Sequence, residues 1–426
     1  MTAVLRLTEH RPRRGIRLSA PQAALIAASG LVTVAPEPDG LWRVNADREM
    51  VGSVRLSAAG GSVELVITPK IPVRRLFFLL GYAQGGMHWQ REAVDVQRHD
   101  DLVPAVSHAF ARMCERALGQ GVLMGYRTVE ESAPVVRGRL RTAEQIRRRY
   151  GGLLPAEISY DDHTADIAEN RILLAAARRL MRAPGTAPGT RALLRRVAVR
   201  LDGVSALPPG RKLPVWQPSR LNTRIQSPLR LAELVLNSHS YEFGTDHSLR
   251  ADGLVLRMWQ VFEDFVTRAL SEALGTRGGR CLLQDRRFHL DHAETAQLRP
   301  DLVYEPPGAG SPAAVVDAKY KRSREAGSHT GDLYQMLAYC TRLGLREGHL
   351  VYAAGSEITG GRHHLHGNPG VTVHQHVLDL DAAPEALLAQ VSAIAEAFRR
   401  PEQDSRNPAP GKLVGKNNND QPAETG

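Results

Sequence analysis

One stretch constrains this 426-residue chain more than any other: PDLVYEPPGAGSPAAVVDAKYKRSREAGSHTGDLYQMLAY, residues 300 to 339. Two apolar runs, Leu302-Val303-Tyr304 and Ala313-Ala314-Val315-Val316, flank Glu305, two prolines, glycines and Ser311. That is a turn signal between strands, and it predicts a β-hairpin. Asp301 opens the first strand, and Asp317 and Lys319 close the second. Alternate strand residues share a face, so Asp317 and Lys319 project together while Ala318 turns away. Taken alone, the triplet also suits an ordinary hairpin with charged ends, because short Asp and Asp-x-Lys combinations arise by chance.

The chemistry of the three charges is specific. Paired carboxylates suit a hard divalent cation such as Mg²⁺, with Mn²⁺ as the alternative, since such ions prefer oxygen ligands and retain several waters. Water bound to the ion is easier to deprotonate, and an adjacent lysine can orient it or neutralise a phosphate. Downstream, Asp332 to Arg342 is predicted helical, with Gln335 and Tyr339 four apart on one face. Upstream, the amphipathic segment Met258 to Val266 carries Glu263. The structural alternatives are a solvated acid for Glu263 and a polar helix face for Gln335 and Tyr339.

The length implies two or three domains, each able to bury its own core. A formal net charge of +10 and a pI of about 9.8 suit a polyanionic partner, because arginine forks match phosphate oxygens. Many basic proteins bind no nucleic acid, so charge supports that reading without carrying it. Cys114, Cys281 and Cys340 are odd in number and far apart, which argues against a disulfide framework and for a reducing cytoplasm. Met1 to Gly15 lacks the apolar core of a signal peptide. Leu76 to Ala83 falls far short of the roughly 20 residues of a spanning helix, so a soluble cytoplasmic protein away from membranes is expected. The nearest fragments to a nucleotide phosphate loop are Gly411-Lys412 and Gly415-Lys416. Any nucleotide hydrolysis is therefore assigned to another chain.

Period-two runs at 30–34, 41–44, 52–56 and 63–68 predict a small antiparallel β domain, interrupted by a helix at 21–28. Helices follow at 74–83 and 100–119. Residues 125–131 and 134–141 are expected to form two strands or an arm, where arginines invite a DNA reading and a solvated rim or protein-docking surface is the alternative. Asp162 and His163 precede a helix over 166–182, and the pair is expected to cap or contact the surface rather than bind metal. Helices at 166–182 and 191–201 carry Arg178-Arg179 and Arg195-Arg196, candidates for either DNA or solvent. His363, His364, His366, His374 and His376 lack zinc-site spacing. The resulting division is 1–150, a β-rich and helical N-terminal region; 151–249, a helical connection; 250–400, an α/β domain with a mixed central sheet; and 401–426, a disordered tail.

The arrangement Pro300-Asp301, spacer, Asp317-x-Lys319 resembles the PD-(D/E)xK nuclease superfamily, and the Gln335-x-x-x-Tyr339 pair resembles its RecB-type members. Beyond the hairpin, the chain carries in order Val66-Ile67-Thr68-Pro69-Lys70-Ile71, Leu79-Leu80-Gly81-Tyr82-Ala83, Arg137-Gly138-Arg139-Leu140, Tyr160-Asp161, Glu169-Asn170-Arg171 and Phe262-Glu263. With the hairpin and Asp332-Leu333-Tyr334-Gln335-Met336, this order resembles the McrC family over roughly residues 1 to 400. The resemblance implies an α+β N-terminal region that docks on a McrB-like AAA+ GTPase ring, and a C-terminal PD-(D/E)xK domain that cuts double-stranded, methylated DNA. It implies a Mg²⁺-dependent endonuclease subunit of a modification-dependent restriction system, a defence against foreign DNA, with GTP used only through the partner. Asp301, Asp317 and Lys319 take the catalytic places, Glu263, Gln335 and Tyr339 supporting ones, and Asp301, Asp317 and Glu263 those of metal ligands. Greater length, arginine-rich helices and the tail depart from compact members. Two alternatives stay open: a non-catalytic adaptor that stimulates the GTPase, and a stand-alone repair or defence nuclease.

Overall fold

The computed structural model describes residues 3–46, 48–58, 61–85, 101–208, 211–238, 250–320, 328–354, 360–367 and 370–398; the expected tail lies outside them. The chain runs β1 (Ala3–Thr8), β2 (Pro12–Ile16), α1 (Ala20–Ala28), β3 (Thr33–Pro36), β4 (Trp42–Asn45), β5 (Met50–Ala58), β6 (Gly61–Thr68), α2 (Val73–Ala83) and α3 (Leu102–Leu118). It continues with β7 (Gly125–Ala133), β8 (Arg139–Leu140), α4 (Thr142–Arg148), β9 (Ala156–Thr164), α5 (Ala168–Arg182), α6 (Pro188–Arg200), α7 (Thr223–Asn237), β10 (Arg250–Arg257) and α8 (Met258–Gly275). The last part holds β11 (Arg280–Leu283), β12 (Phe288–His289), β13 (Gln297–Leu298), β14 (Leu302–Glu305), β15 (Ala314–Lys319), α9 (Ser328–Leu343), β16 (Glu347–Ala353), β17 (Gly361–Leu365), β18 (Val371–Leu378) and α10 (Pro384–Glu396).

The N-terminal strands form two sheets, β2-β4-β3 and β1-β6-β5-β10, which share a core with α1 through Leu5, Leu7, Ile26, Leu31, Val44, Leu56 and Leu65. The expected small antiparallel domain is corrected in one respect: β3 with β4 and β5 with β6 pair antiparallel, but β1, which none of the period-two runs included, lies parallel to β6. Antiparallel partners are usually joined by local turns that sequence reveals, whereas a parallel partner arrives through a long connection. The final strand comes from even further away. β10 pairs antiparallel with β5, so the segment from residue 250, expected to open the third domain, begins in the N-terminal sheet. Gly52 has φ +142°, and a Cβ there would sit 2.0 Å from the Leu254 carbonyl oxygen. Glycine therefore permits this close crossing of backbones.

Helices α2, α3, α5, α6, α7 and α8 bury their apolar stripes in one large core, exemplified by Phe77, Phe110, Leu173, Leu194, Leu229 and Phe265. From this body β7 and β9 extend as an antiparallel ribbon, with β8 and α4 on its flank. Among the described residues no helix is long and apolar enough to cross a membrane.

The third layer is a six-stranded mixed sheet, β11-β14-β15-β16-β18-β17. Neighbours β11, β14 and β15 are antiparallel, β15, β16 and β18 parallel, and β17 antiparallel to β18. Both faces are covered, which explains the continuous apolar runs of its central strands. Leu302, Val316 and Val351 pack with α8 and α10, whereas Val303, Val315 and Leu350 pack with α9. The whole is a mixed α/β chain with several mixed and antiparallel sheets.

Candidate active site

The hairpin of β14 and β15 brings Asp301, Asp317 and Lys319 together on the face that meets α9. Asp301 is 8% exposed and Asp317 2%. Asp301 Oδ2 accepts the Ala318 amide at 2.7 Å, which ties the start of one strand to the end of the other. The Lys319 ammonium forms an ion pair with Asp317 and donates to Gln335 Oε1 at 2.9 Å. Gln335 Nε2 donates to the Tyr339 hydroxyl at 2.7 Å, and that hydroxyl donates to the Arg299 carbonyl at 3.1 Å. The i, i+4 spacing read from the sequence thus serves one purpose: a chain of hydrogen bonds fixes the lysine head.

The two carboxylates are short of compensation. Burial, then the nearby charges of Asp317 and Glu263, pushes Asp301 up to about 8. Burial also raises Asp317, although Lys319 pulls against it. For Lys319, burial would lower the ammonium, but Asp317, with Asp332 and Asp301, holds it above its ordinary value. Tyr339 is raised by burial and by Asp317. With both carboxyls ionised, only one ammonium and one amide would answer them, so in the absence of an ion burial favours the protonated form, and a divalent cation would favour the ionised pair. Among the described residues, no three His, Cys, Asp or Glu side chains are grouped to hold an ion. The donors on offer are therefore two carboxylates, with backbone oxygen and water to complete the shell, a set that suits Mg²⁺ better than a zinc cage.

Glu263 stands beside this pair on α8, and its Oε1 accepts from the Gln284 side chain. Gln284 in turn accepts from the Arg299 guanidinium. Sequence reasoning did not find Gln284 and Arg299, since nothing local marks them. The structural sign is backbone: Gln284 has φ +47°, rare for a residue with a side chain, and its amide donates to the Asp301 carbonyl at 3.1 Å. Asp332 is buried, and its Oδ2 accepts the Tyr352 hydroxyl at 3.2 Å.

The other candidates fall elsewhere. Arg179 is drawn inward to the carbonyls of Leu236, Ser238 and Gly253, and Arg196 pairs with Glu115 at 3.0 Å. The His163 ring lies 5.0 Å from that of Tyr126. His374 and His376 stack with His349 on the sheet face opposite the acid pair, Phe398 packs at a tilt on His349, and His364 of β17 lies 3.1 Å from the Thr372 hydroxyl on the same face. Burial pushes His376 down to about 4 and His349 well below its usual value, so these are neutral rings in a packed layer.

A mixed sheet between helices, with a buried acid pair and a restrained lysine on one face, defines the class: a multi-sheet α/β protein with a candidate hydrolytic centre. A family model described as "McrBC 5-methylcytosine restriction system component" matches residues 46–353, and the chain belongs to that family. A chain in the refined half-complex from the tetradecameric assembly of Thermococcus gammatolerans McrB AAA+ hexamers with bound McrC is similar in fold, with a TM-score of 0.56 at 18% identity over 92% of this chain and 99% of that one. A chain of the Thermococcus gammatolerans McrBC complex solved by cryo-EM gives a TM-score of 0.40 at 20% identity, over 64% of this chain and 88% of that one. No curated protein matches.

Proposed function

We propose that this chain is the Mg²⁺-dependent endonuclease subunit of a McrBC-like, modification-dependent restriction system, with a PD-(D/E)xK centre that hydrolyses DNA phosphodiester bonds. The observation that carries the reading is the undercompensated pair Asp301 and Asp317, buried beside the restrained Lys319. Asp301 and Asp317 would hold the ion, and Glu263 would add its charge through water. When bound, Mg²⁺ supplies a nucleophilic water at neutral pH and offsets charge developing on the phosphate. Lys319, fixed by Asp317 and Gln335, orients that water or the phosphate oxygen. Tyr339 keeps Gln335 in place.

The partner in this reading is a McrB-like AAA+ GTPase ring, and GTP enters only through it. The similar chain of known structure comes from an assembly described as McrB AAA+ hexamers with bound McrC. The N-terminal 150 residues are the proposed docking region, 151–249 the helical connection and 250–400 the nuclease domain, apart from its first strand, β10, which completes the N-terminal sheet. The β7–β9 ribbon supports a protein partner over DNA at this place. Three arginines of the ribbon and its flank are matched locally, Arg137 with Glu131 at 2.7 Å, Arg141 with Glu130 at 2.9 Å and Arg147 with Glu144 at 2.7 Å. Meanwhile Tyr126, Val135, Tyr150 and Leu153 are exposed. Apolar side chains rimmed by satisfied ion pairs fit a protein interface.

The test is cleavage of methylated and unmethylated plasmid by the chain co-purified with its genomic AAA+ neighbour, in Mg²⁺ and GTP. Wild type is expected to cut the methylated plasmid, and Asp317→Asn to lose cutting while still docking. Cutting retained by Asp317→Asn overturns the site. Equal cutting of both plasmids contradicts modification dependence, and GTP hydrolysis stimulated without any cutting favours the adaptor.

A further inference from the structure

Directly behind the candidate site lies a second polar cluster that the mechanism above does not use. Lys319 faces α9, so the next residue, Tyr320, points to the opposite side of the strand. There it is 1% exposed and packs against Phe262, ring centroids 5.9 Å apart. Phe262 is the sequence neighbour of Glu263, so this contact lies under two members of the site at once. The Tyr320 hydroxyl donates to Glu9 Oε2 at 3.1 Å, a bond spanning 311 positions of sequence. Glu9 is itself 1% exposed and sits where β1 ends. Its amide donates to the Thr68 carbonyl at 2.9 Å, and the same Oε2 accepts the Lys70 amide at 3.2 Å. The Lys70 ammonium lies 4.2 Å over the Tyr320 ring, and Glu9 Oε1 is 3.5 Å from His10 Nε2.

An acid buried this deeply is costly unless its partners are fixed. Here they come from both ends of the molecule: two from the N-terminal sheet and its exit, and one from the strand that carries Lys319. The N-terminal sheet also meets the same helix by another route, since the Met258 amide at the start of α8 donates to the Glu49 carbonyl at 2.8 Å.

We infer that Glu9 and Tyr320 are positioning residues for the candidate site: the buried Glu9–Tyr320 bond lets the N-terminal sheet fix the end of β15, and with it the placement of Lys319. The inference deepens the nuclease reading and rests on Lys319 being its lysine. It makes the N-terminal region a structural part of the centre as well as a proposed docking region. Loss of the bond frees the strand end without removing any group from the site.

The test uses the full chain and acetic anhydride labelling of lysines, read by mass spectrometry. Exposed Lys212 is the internal reference, and Asp317→Ala, which unpairs Lys319, is the positive control. Tyr320→Phe keeps the ring over Lys70 and against Phe262 but drops the hydroxyl. It and Glu9→Ala are expected to label Lys319 about fivefold faster relative to Lys212, the factor for one net hydrogen bond. Glu9→Gln, which retains an oxygen for the hydroxyl, should label like wild type. In plasmid cleavage the first two variants should lose kcat by a similar factor with KM for DNA unchanged. Wild-type labelling of Lys319 in Tyr320→Phe, with the Asp317→Ala control responding, overturns the inference. So does faster labelling at every lysine together with a lower Tm, which would mark a general packing role. Labelling requires no DNA cutting, so a wild type that never cuts would defeat the nuclease reading while the labelling pattern judged this one separately.

Discussion

Two buried aspartate centres in this molecule have opposite surroundings. Asp166, at the junction of β9 and α5, accepts from Arg127 at 2.6 Å, from Arg171 through two bonds of 2.6 Å, and from the amide and hydroxyl of Ser205 at 2.9 and 2.8 Å. The hydrogen bonds from Arg171 and Ser205 outweigh burial and hold its carboxyl well below the usual range. Asp301 and Asp317 share one ammonium and one backbone amide, and burial holds both above it. The same side chain is a structural knot where partners are in surplus and a candidate ligand where they are in deficit. Asp166 ties the base of the ribbon to the helical body; Asp301 and Asp317 are left for something the chain does not itself supply.

That contrast can be broken in order of effect. Asp166→Asn should lower unfolding stability by about 2–3 kcal/mol at pH 7, since it leaves two arginines without their charge-assisted acceptor; a urea midpoint within experimental error of wild type would contradict the knot. Asp301→Asn should do the reverse on a smaller scale. Asn still offers an oxygen to the Ala318 amide but carries no charge. The folded carboxyl of Asp301 is raised to about 8, against about 3.9 in an unfolded chain, so between those values the folded form keeps a proton that the unfolded form releases. Stability of the ion-free protein therefore falls as pH rises from about 4 to about 8. Asp301→Asn should flatten that slope and gain on the order of 1 kcal/mol at pH 8. For Asp166 the sign is opposite: its contribution is present above the unfolded value and is lost as pH falls through its depressed folded value. Denaturation curves at several pH values separate the two, and equal slopes in wild type and Asp301→Asn would remove the deficit.

The parts of this picture that sequence revealed are the local ones. The hairpin was readable because two apolar runs and their turn lie within twenty residues, with charges only at the strand ends. Gln335 and Tyr339 were readable because four residues make one helical turn. Pairings made across the chain were not. β1 beside β6, β10 beside β5, and Glu9 against Tyr320 join segments whose separate patterns say nothing of each other. Asp166 read only as the start of a helix, because its arginines and Ser205 come from three separate segments. The ribbon arginines show the converse. Their abundance invited a DNA reading beside that of a solvated rim or docking surface; Glu130, Glu131 and Glu144 lie in or next to the same stretch, and only folding showed that they pair with Arg141, Arg137 and Arg147.

The central claim is that the deficit at Asp301 and Asp317 is a divalent-ion site. Mn²⁺ titration of the full chain, followed by calorimetry, tests it most directly. The account predicts that wild type binds the ion, with affinity that strengthens as pH rises through about 8, and that Asp301→Asn and Asp317→Asn lose this binding while Asp166→Asn retains it. Binding of equal strength in wild type and both site variants would place the ion elsewhere and contradict the account.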